Sequence, residues 1–341
     1  MSEGNNKIKF AIVGYGHIGK RHAAMVINNP DAELVAICDN NPKQSTGKEN
    51  KEILFFESLD ELLDGGPAFD VLSIATPNGL HEEQAIKGLR SGHHVVIEKP
   101  MALTKAGCER IIFESLRVHK QVFCVMQNRY SPPSVWLKDV IQKKLLGEIY
   151  MVQINCYWNR DERYYTPGNW HGTKALDGGT LFTQFSHFID IMFWLFGDIK
   201  NIGGKFTSFN HNGLTEFEDS GFIHFDFVNG GMGSFNFSTS IWNQNLESSI
   251  TIIAEKGTVK VGGQYMNEVQ TSVIKDYIMP DLPPGNPPND YGPYKGSAAN
   301  HHFIFENVVN VLKGRETITT NALEGMKVVE IIEKIYQSSS R

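Results

Sequence analysis

The sequence is short of the residues that build metal clusters and stapled folds. Its four cysteines, Cys38, Cys108, Cys124 and Cys156, lie too far apart for a zinc knuckle or a CxxC redox pair. Cys38 and Cys124 fall within apolar runs, where a thiol behaves as a small hydrophobe. A reduced, cytoplasmic protein is therefore expected. A metal-dependent reading finds no support either, because the adjacent His301 and His302 and the scattered cysteines make no recognisable ligand set. No apolar run approaches the roughly 20 residues of a membrane helix. The most hydrophobic stretch, FIDIMFWLFG at 188–197, has the length of a buried helix, and the polar start MSEGNNKIKF is not expected to carry a signal peptide. Basic residues are scattered, and 32 Lys and Arg against 38 Asp and Glu give a net charge of −6, so no nucleic-acid footprint is present. No internal repeat appears, and only 280–293 (PDLPPGNPPNDYGP) is proline-rich enough to read as a structureless arm.

What the chain does contain is enough sequence for two domains, at 341 residues. Its first third alternates short Val/Ile-rich runs (IKFAIVG, ELVAICD, FDVLSIATP, HHVVIEKP, QVFCVMQNRY) with amphipathic stretches. Ser58 is placed to cap one of the intervening helices and Gly92 to close another. Continuous apolar strands between helices indicate a parallel sheet covered on both faces, the doubly wound α/β Rossmann pattern. After Pro132 and Pro133 the grammar changes. A helix over 135–146 leads to the strand EIYMVQINCYW, a loop, and a helix around His187. Period-two runs follow, separated by turn pairs such as Asn229-Gly230 and Lys256-Gly257, then helices near 297–313 and 322–336. The expectation is a dinucleotide-binding domain over 1–128 and an α+β domain over 129–341 with a mostly antiparallel open sheet. Phe222, Phe225 and Phe227, among His224 and Asp226, suggest one sheet face packed on helices and another free to bury against a second subunit, hence a homo-oligomer.

The strongest local signal is Gly14-Tyr15-Gly16-His17-Ile18-Gly19, directly after a strand and opening a helix. Its glycines permit a tight turn, close approach of a pyrophosphate to backbone N–H groups, and helix–strand packing. Asp39 ends the second strand 20 residues beyond Gly19, where a carboxylate accepts from a ribose 2′-hydroxyl and repels a 2′-phosphate. Asn40, Asn41 and Pro42 follow with no arginine, so NAD is favoured over NADP; Lys43 is the nearest base. Thr76-Pro77-Asn78 ends the third strand, at the carboxyl edge where ligands bind in open α/β sheets. It reads either as a cofactor contact or as a plain strand-to-helix connection, and His81 either as a cofactor contact or as a surface residue. Glu98-Lys99-Pro100 ends the next strand. A lysine there can bind a substrate hydroxyl and stabilise a developing alkoxide, or it can be one half of a surface ion pair with Glu98. Pro100 can impose a cis bond or fix the turn.

The glycine fingerprint, TPNGLH (76–81), EKP (98–100) and DGGTLFTQFSHFID (177–190), in this order and spacing over nearly the whole chain, resemble the glucose-fructose oxidoreductase/inositol dehydrogenase (Gfo/Idh/MocA) family. The resemblance implies NAD-dependent oxidation of a sugar-type hydroxyl. Lys99 is implied as catalytic and His187 as the acid/base, although a lone histidine on an apolar helix is equally a structural residue. Relatives often carry an aspartate one helical turn before the histidine; this chain has Thr183 there, a candidate catalytic residue that can orient a hydroxyl but holds no negative charge, with Gln184 beside it. Cofactor contacts are implied at Gly14, Gly16, His17, Ile18, Gly19, Asp39, Thr76, Asn78, His81, Glu98, Lys99 and Trp170. QNRYSPP (127–133), Trp170-His171-Gly172 and GSAANHH (296–302) resemble, more narrowly, bacterial UDP-N-acetylglucosaminuronate 3-dehydrogenases. That likeness implies a UDP-sugar substrate and an oligomer. Arg129, Arg160 or Arg163 are candidates for the sugar carboxylate or diphosphate, and Tyr164, Tyr165, Trp170, His171 and Gln184 for the pocket wall. Asn300 and His301 either reach the site or cap the helix after them. A free polyol or unactivated sugar is the competing substrate, and a non-catalytic dinucleotide sensor the competing role.

Overall fold

The computed structural model describes residues 7–41, 43, 52–166, 168–292 and 294–338. Pro42 and Pro293, and the first six residues of the polar start, lie outside them. The chain forms two compact units: one of 1–126 and 301–326, the other of 127–300 and 327–341. The first break falls close to the expected boundary at 128/129. Residues 301–326, however, belong with the first unit and not with the second.

The first unit begins with β1 (Ile8–Val13), α1 (His17–Asn28) and β2 (Ala32–Cys38), followed by β3 (Leu54–Phe56), α2 (Leu59–Gly65) and β4 (Val71–Ile74). Next come α3 (His81–Arg90), β5 (His94–Ile97), α4 (Lys105–Val118) and β6 (Val122–Cys124). The six strands lie in the order β3-β2-β1-β4-β5-β6, all parallel. That is the doubly wound order, in which the sense of strand addition reverses between β1 and β4. Sheet residues such as Phe10, Ile12, Ile37, Leu72 and Val96 are fully buried, as a sheet covered on both faces requires. Ser58 caps α2 by accepting the Glu61 N–H, and Gly92 takes φ +89° after α3. β3 is the strand the sequence hid: three residues at the sheet edge, without periodicity to read.

The second unit opens with a single tight turn at Gln127–Tyr130, where the sequence suggested a strand running on from β6. Gln127, Asn128 and Arg129 are buried polar residues whose partners lie off the sheet, so the strand stops short. α5 (Pro132–Gln142) starts three residues earlier than the periodicity indicated, because both prolines fit a helix's first turn. β7 (Ile149–Tyr157), α6 (Thr180–Thr183), α7 (Ser186–Phe196), β8 (Ile199–Thr207), β9 (Ser220–Phe227) and β10 (Met232–Ser238) follow. β11 (Glu247–Ala254), β12 (Gly257–Gly262) and β13 (Glu268–Ile274) complete a seven-stranded sheet ordered β13-β12-β11-β7-β10-β9-β8. Every pairing is antiparallel except β10 with β7, which is parallel. In β9 the inward residues are Ile223, Phe225 and Phe227, while Phe222 is 56% exposed on the side of His224 and Asp226. Strand alternation separates Phe222 from the other two phenylalanines. The proline-rich arm is not structureless: β14 (Pro288–Asp290) pairs antiparallel with β15 (Lys295–Ala298).

α8 (His301–Leu312) returns to the first unit, where Phe305 packs against Phe10 and His22 at centroid distances of 5.9 and 4.9 Å. It starts after β15 and not at 297, since Ser297 and Ala298 are in the strand ladder. The chain passes back into the second unit within α9 (Ala322–Ser338).

Candidate functional site

In the first unit the sequence motifs gather at the carboxyl ends of β1, β2, β4 and β5. Gly14 leaves β1 at φ +84°, and a Cβ there would lie 2.6 Å from the Ala75 carbonyl oxygen. At Gly19 it would sit 1.8 Å from the Gly14 oxygen, so α1 reaches the strand only because this residue has no side chain. Gly16 is different: its Cβ would meet nothing within 4 Å. α1 has no side-chain cap and no acidic residue in its first turn. The first N–H groups of this helix and the open side of Gly16 therefore provide a cradle for an anion, which a pyrophosphate fits. His17 is exposed at the helix start, and Ile18 is half-buried.

Asp39 lies just past β2 and accepts from the Tyr15 N–H at 2.6 Å through one oxygen and the Asn41 N–H at 2.8 Å through the other. Two backbone donors thus aim the carboxylate at the mouth of the glycine loop. Each oxygen keeps a further lone pair for a ribose hydroxyl. Thr76 donates its hydroxyl to Gln84 at 2.6 Å, and Asn78 is buried at the start of the turn that leads into α3. His81, expected beside the cofactor or at the surface, is fully buried. Its Nδ1 faces the Pro100 carbonyl at 2.7 Å and its Nε2 the Thr76 carbonyl at 2.9 Å. Its part is to tie the loop after β4 to the loop after β5. Burial holds this imidazole below its ordinary range, with the two carbonyls opposing.

Lys99 is half-buried and joined to Pro100 by a cis peptide bond. Glu98 does not form the surface ion pair that the sequence left open. Its carboxylate is buried against His22 and His301 at 3.1 and 3.4 Å, and accepts the Lys99 N–H at 3.0 Å. His301 thus neither caps α8 nor remains solvent-facing. The signal that would have found this set is the pairing of His22, one turn beyond the glycine fingerprint, with the glutamate of EKP.

In the second unit His187 is the second residue of α7 and is 4% exposed. The Gln127 amide N–H donates to its Nε2 at 3.2 Å, so this nitrogen carries a lone pair, the form that can take up a proton. Gln127 belongs to the same turn as Arg129, whose guanidinium forms a buried bidentate pair with Asp190, 2.9 Å from Nε to Oδ2. Asp190 lies one helical turn beyond His187. Arg129 thus fastens this turn to α7. Removing one partner of such a pair costs about 3–5 kcal/mol.

Thr183 donates its hydroxyl to both the carbonyl and the carboxylate of Asp177. Asp177 is buried and also accepts the Gly172 N–H at 2.8 Å. The carboxylate missing from position 183 is thus supplied beside it from the DGG segment, a residue the motif contained but to which no role was given. The conformation of that segment explains its glycines: Gly179 takes φ +134°, and a Cβ there would lie 2.5 Å from the Tyr336 hydroxyl.

Around this helix lies an aromatic cluster. Arg160 is buried with its guanidinium 4.8–5.2 Å from the rings of Trp158, Tyr164 and Tyr294. It donates to Gln184 Oε1 at 2.8 Å and to the carbonyls of Asn159 and Lys295. Gln184 donates in turn to the Tyr164 hydroxyl at 2.8 Å, so both ends of its amide are engaged. Tyr165 is 3% exposed, and burial pushes its phenol well above the ordinary range. Gln184 and Tyr165, expected to touch substrate, are both buried, as His187 is. Trp170 stacks on His171 at 3.9 Å, both half-buried, and His171 meets Tyr164 edge-on. Arg163 remains partly exposed, paired with Asp161, whose carboxyl it holds down at about 2. Asn300 does not cap α8: its amide donates to the Gln127 carbonyl and to Ser131, which steadies the turn carrying Gln127.

Residues 8–126 match the family model described as the oxidoreductase family with an NAD-binding Rossmann fold, and residues 135–260 match the GFO/IDH/MocA C-terminal domain. The chain belongs to the Gfo/Idh/MocA family, and it is an NAD-dependent oxidoreductase. Among solved structures it is similar to the WlbA dehydrogenase of Bordetella pertussis, in complex with NADH and UDP-GlcNAcA. The two are 34% identical with a TM-score of 0.87, over 98% of this chain and 97% of that one. The WlbA enzyme of Chromobacterium violaceum, with the same two ligands, is 31% identical with a TM-score of 0.88, over 100% and 95%. A curated relative, the D-glucoside 3-dehydrogenase of Escherichia coli K12, is 22% identical over 98% of this chain and 96% of its own length. Among the described residues no helix is long and apolar enough to cross a membrane.

Proposed function

We propose that this protein oxidises a secondary hydroxyl of a nucleotide-linked sugar acid, the C3 hydroxyl of UDP-N-acetylglucosaminuronate, to the ketone. The observation that carries the reading is the likeness, at 34% and 31% identity over nearly full length, to two dehydrogenases solved with NADH and that sugar. NAD, when bound, accepts the hydride that leaves the carbinol carbon. His187, whose Nε2 faces the Gln127 amide at 3.2 Å, takes the hydroxyl proton on that nitrogen once the substrate hydroxyl has displaced the amide as its donor. Lys99 orients the hydroxyl and offsets the negative charge that develops on its oxygen. Asp39 selects NAD over NADP, since its carboxylate opposes a 2′-phosphate. The D-glucoside 3-dehydrogenase relative supports a second reading, in which the substrate is an unactivated sugar oxidised at the same carbon.

The test is a single-turnover measurement of NADH absorbance with NAD and UDP-N-acetylglucosaminuronate, run beside myo-inositol, glucose and a glucoside. The expected result is NADH with the UDP-sugar alone, falling by roughly 100-fold or more in Lys99→Ala and His187→Ala, as loss of an acid/base group does. NADH from the free sugars and none from the nucleotide sugar would replace the first reading with the second. Tight NAD binding without turnover of any of the four would favour a sensor.

A further inference from the structure

Four side chains of the first unit form a connected, buried set. Ser73 is on β4, His22 on α1, Glu98 just past β5, and His301 is the first residue of α8; Ser73 and His22 are fully buried, Glu98 is 6% exposed and His301 2%. His22 Nδ1 lies 2.9 Å from the Ser73 hydroxyl, and its Nε2 lies 3.1 Å from Glu98 Oε1. His301 Nε2 lies 3.4 Å from the same oxygen. The other carboxylate oxygen accepts the Lys99 N–H at 3.0 Å. Desolvation opposes charge on Glu98, yet the hydrogen bonds from His22 and His301 win and hold its carboxyl well below the usual range. Burial pushes His301 the other way, towards the neutral imidazole. An ionised carboxylate only accepts, so both imidazoles present Nε2–H to it, and the Ser73 hydroxyl holds the remaining nitrogen of His22.

We propose that Glu98 is a positioning residue: clamped by His22 and His301, it captures the Lys99 N–H where β5 ends and so fixes the backbone from which the Lys99 side chain departs. The proposal rests on the role given to Lys99 above. Without the carboxylate this half-buried N–H loses the acceptor that holds it at the residue whose placement matters to the chemistry. A displacement of about 1 Å there can cost on the order of 100-fold in rate.

Glu98→Gln keeps the shape but presents an NH2 group to a ring of donors. Its kcat is expected to fall roughly 10- to 100-fold, with KM and the NAD dissociation constant within about threefold of wild type. His301→Leu should fall in the same way, and His301→Gln, whose amide can donate again, should recover most of the loss. A readout independent of turnover is the amide proton of Lys99 in lysine-labelled protein, assigned by its disappearance in Lys99→Arg. It should move upfield in Glu98→Gln. An unmoved Lys99 amide, or a variant that loses NAD affinity while kcat holds, overturns the brace. Stoichiometric zinc in the purified protein also overturns it, since the two imidazoles and the carboxylate would then be metal ligands. If the wild type fails to turn over UDP-N-acetylglucosaminuronate, the substrate reading falls while the amide shift still decides the brace.

Discussion

At the scale of single residues, burial decides what each ionisable group can do. Glu218, just before β9, accepts from the Tyr336 hydroxyl at 2.7 Å, and burial raises its carboxyl to about 7 despite that bond. A carboxyl held above its unfolded value near 4.5 stabilises the fold while it is protonated. That contribution is complete below the unfolded value and is lost as pH rises through about 7. The loss, on the order of 3 kcal/mol if the whole shift is realised, should appear as a denaturation midpoint that declines between pH 5 and 8. Glu218→Gln, neutral at every pH, is expected to flatten the decline; an equally steep slope in the variant would show that another group sets it. The same scale limits what a sequence shows. Lys99, His187 and Asp39 stand out in the sequence because their neighbours in the chain carry the motif. That Arg129 is spent on Asp190, that Gln184 is held between Arg160 and Tyr164, and that Asp177 stands beside Thr183 depend on partners 6 to 61 residues away. Cys38 agrees with its apolar setting, its thiol being pushed by burial up to about 12.

At the scale of elements, the turn from β1 into α1 shows that three glycines in one motif answer to different demands. Gly19→Ala puts a methyl group 1.8 Å from the Gly14 oxygen and should prevent the helix from seating, giving insoluble or strongly destabilised protein. Gly16→Ala meets nothing in the protein, at φ −71°, and should fold with a melting point close to wild type. Its methyl group would occupy the anion cradle, so calorimetry should show NAD binding weakened roughly tenfold or more, a cost of about 1.4 kcal/mol. Unchanged NAD affinity in Gly16→Ala would mean that the phosphates bind elsewhere. The parallel sheet was legible because its central strands are apolar throughout and sit between amphipathic helices. What escaped were β3 and β13, edge strands that are short or polar on both faces, and the β14–β15 pair within a proline-rich stretch. Edge strands bury little, so their sequences carry little pattern. Nor could the return of α8 to the first unit be read, because it is recorded only in where Phe305 and His301 find their partners.

At the scale of the whole molecule, the outer face of the second unit's sheet poses the remaining question. Register places Ile253, Met151 and Met232 side by side across β11, β7 and β10, with exposures of 44%, 43% and 55%. Phe222 adds 56% on the neighbouring β9, and Val273 adds 68% on β13, one strand beyond β12. Single exposed apolar residues are ordinary, but a row of large ones across adjacent strands is the kind of surface that another protein covers. Beside them stand Asp226, opposite Met232, and Gln153, Ser234, His224 and Lys260, so the face carries one acidic and one basic group that can meet across a contact between two copies. A self-complementary face of this composition suits a two-fold contact, in which each copy presents the same row to the other. Light scattering on the purified protein should therefore give at least twice the 38.3 kDa chain mass. The Met151→Lys, Met232→Lys double variant should shift that mass to the monomer while still binding NAD, since β1, β2 and α1 lie in the other unit. A wild-type monomer at micromolar concentration would mean that this face meets solvent. A double variant that keeps the wild-type mass would place the contact elsewhere on the chain. Two lysines facing two lysines across a symmetric contact bring like charges together without a partner, so an assembly that uses this face cannot tolerate them.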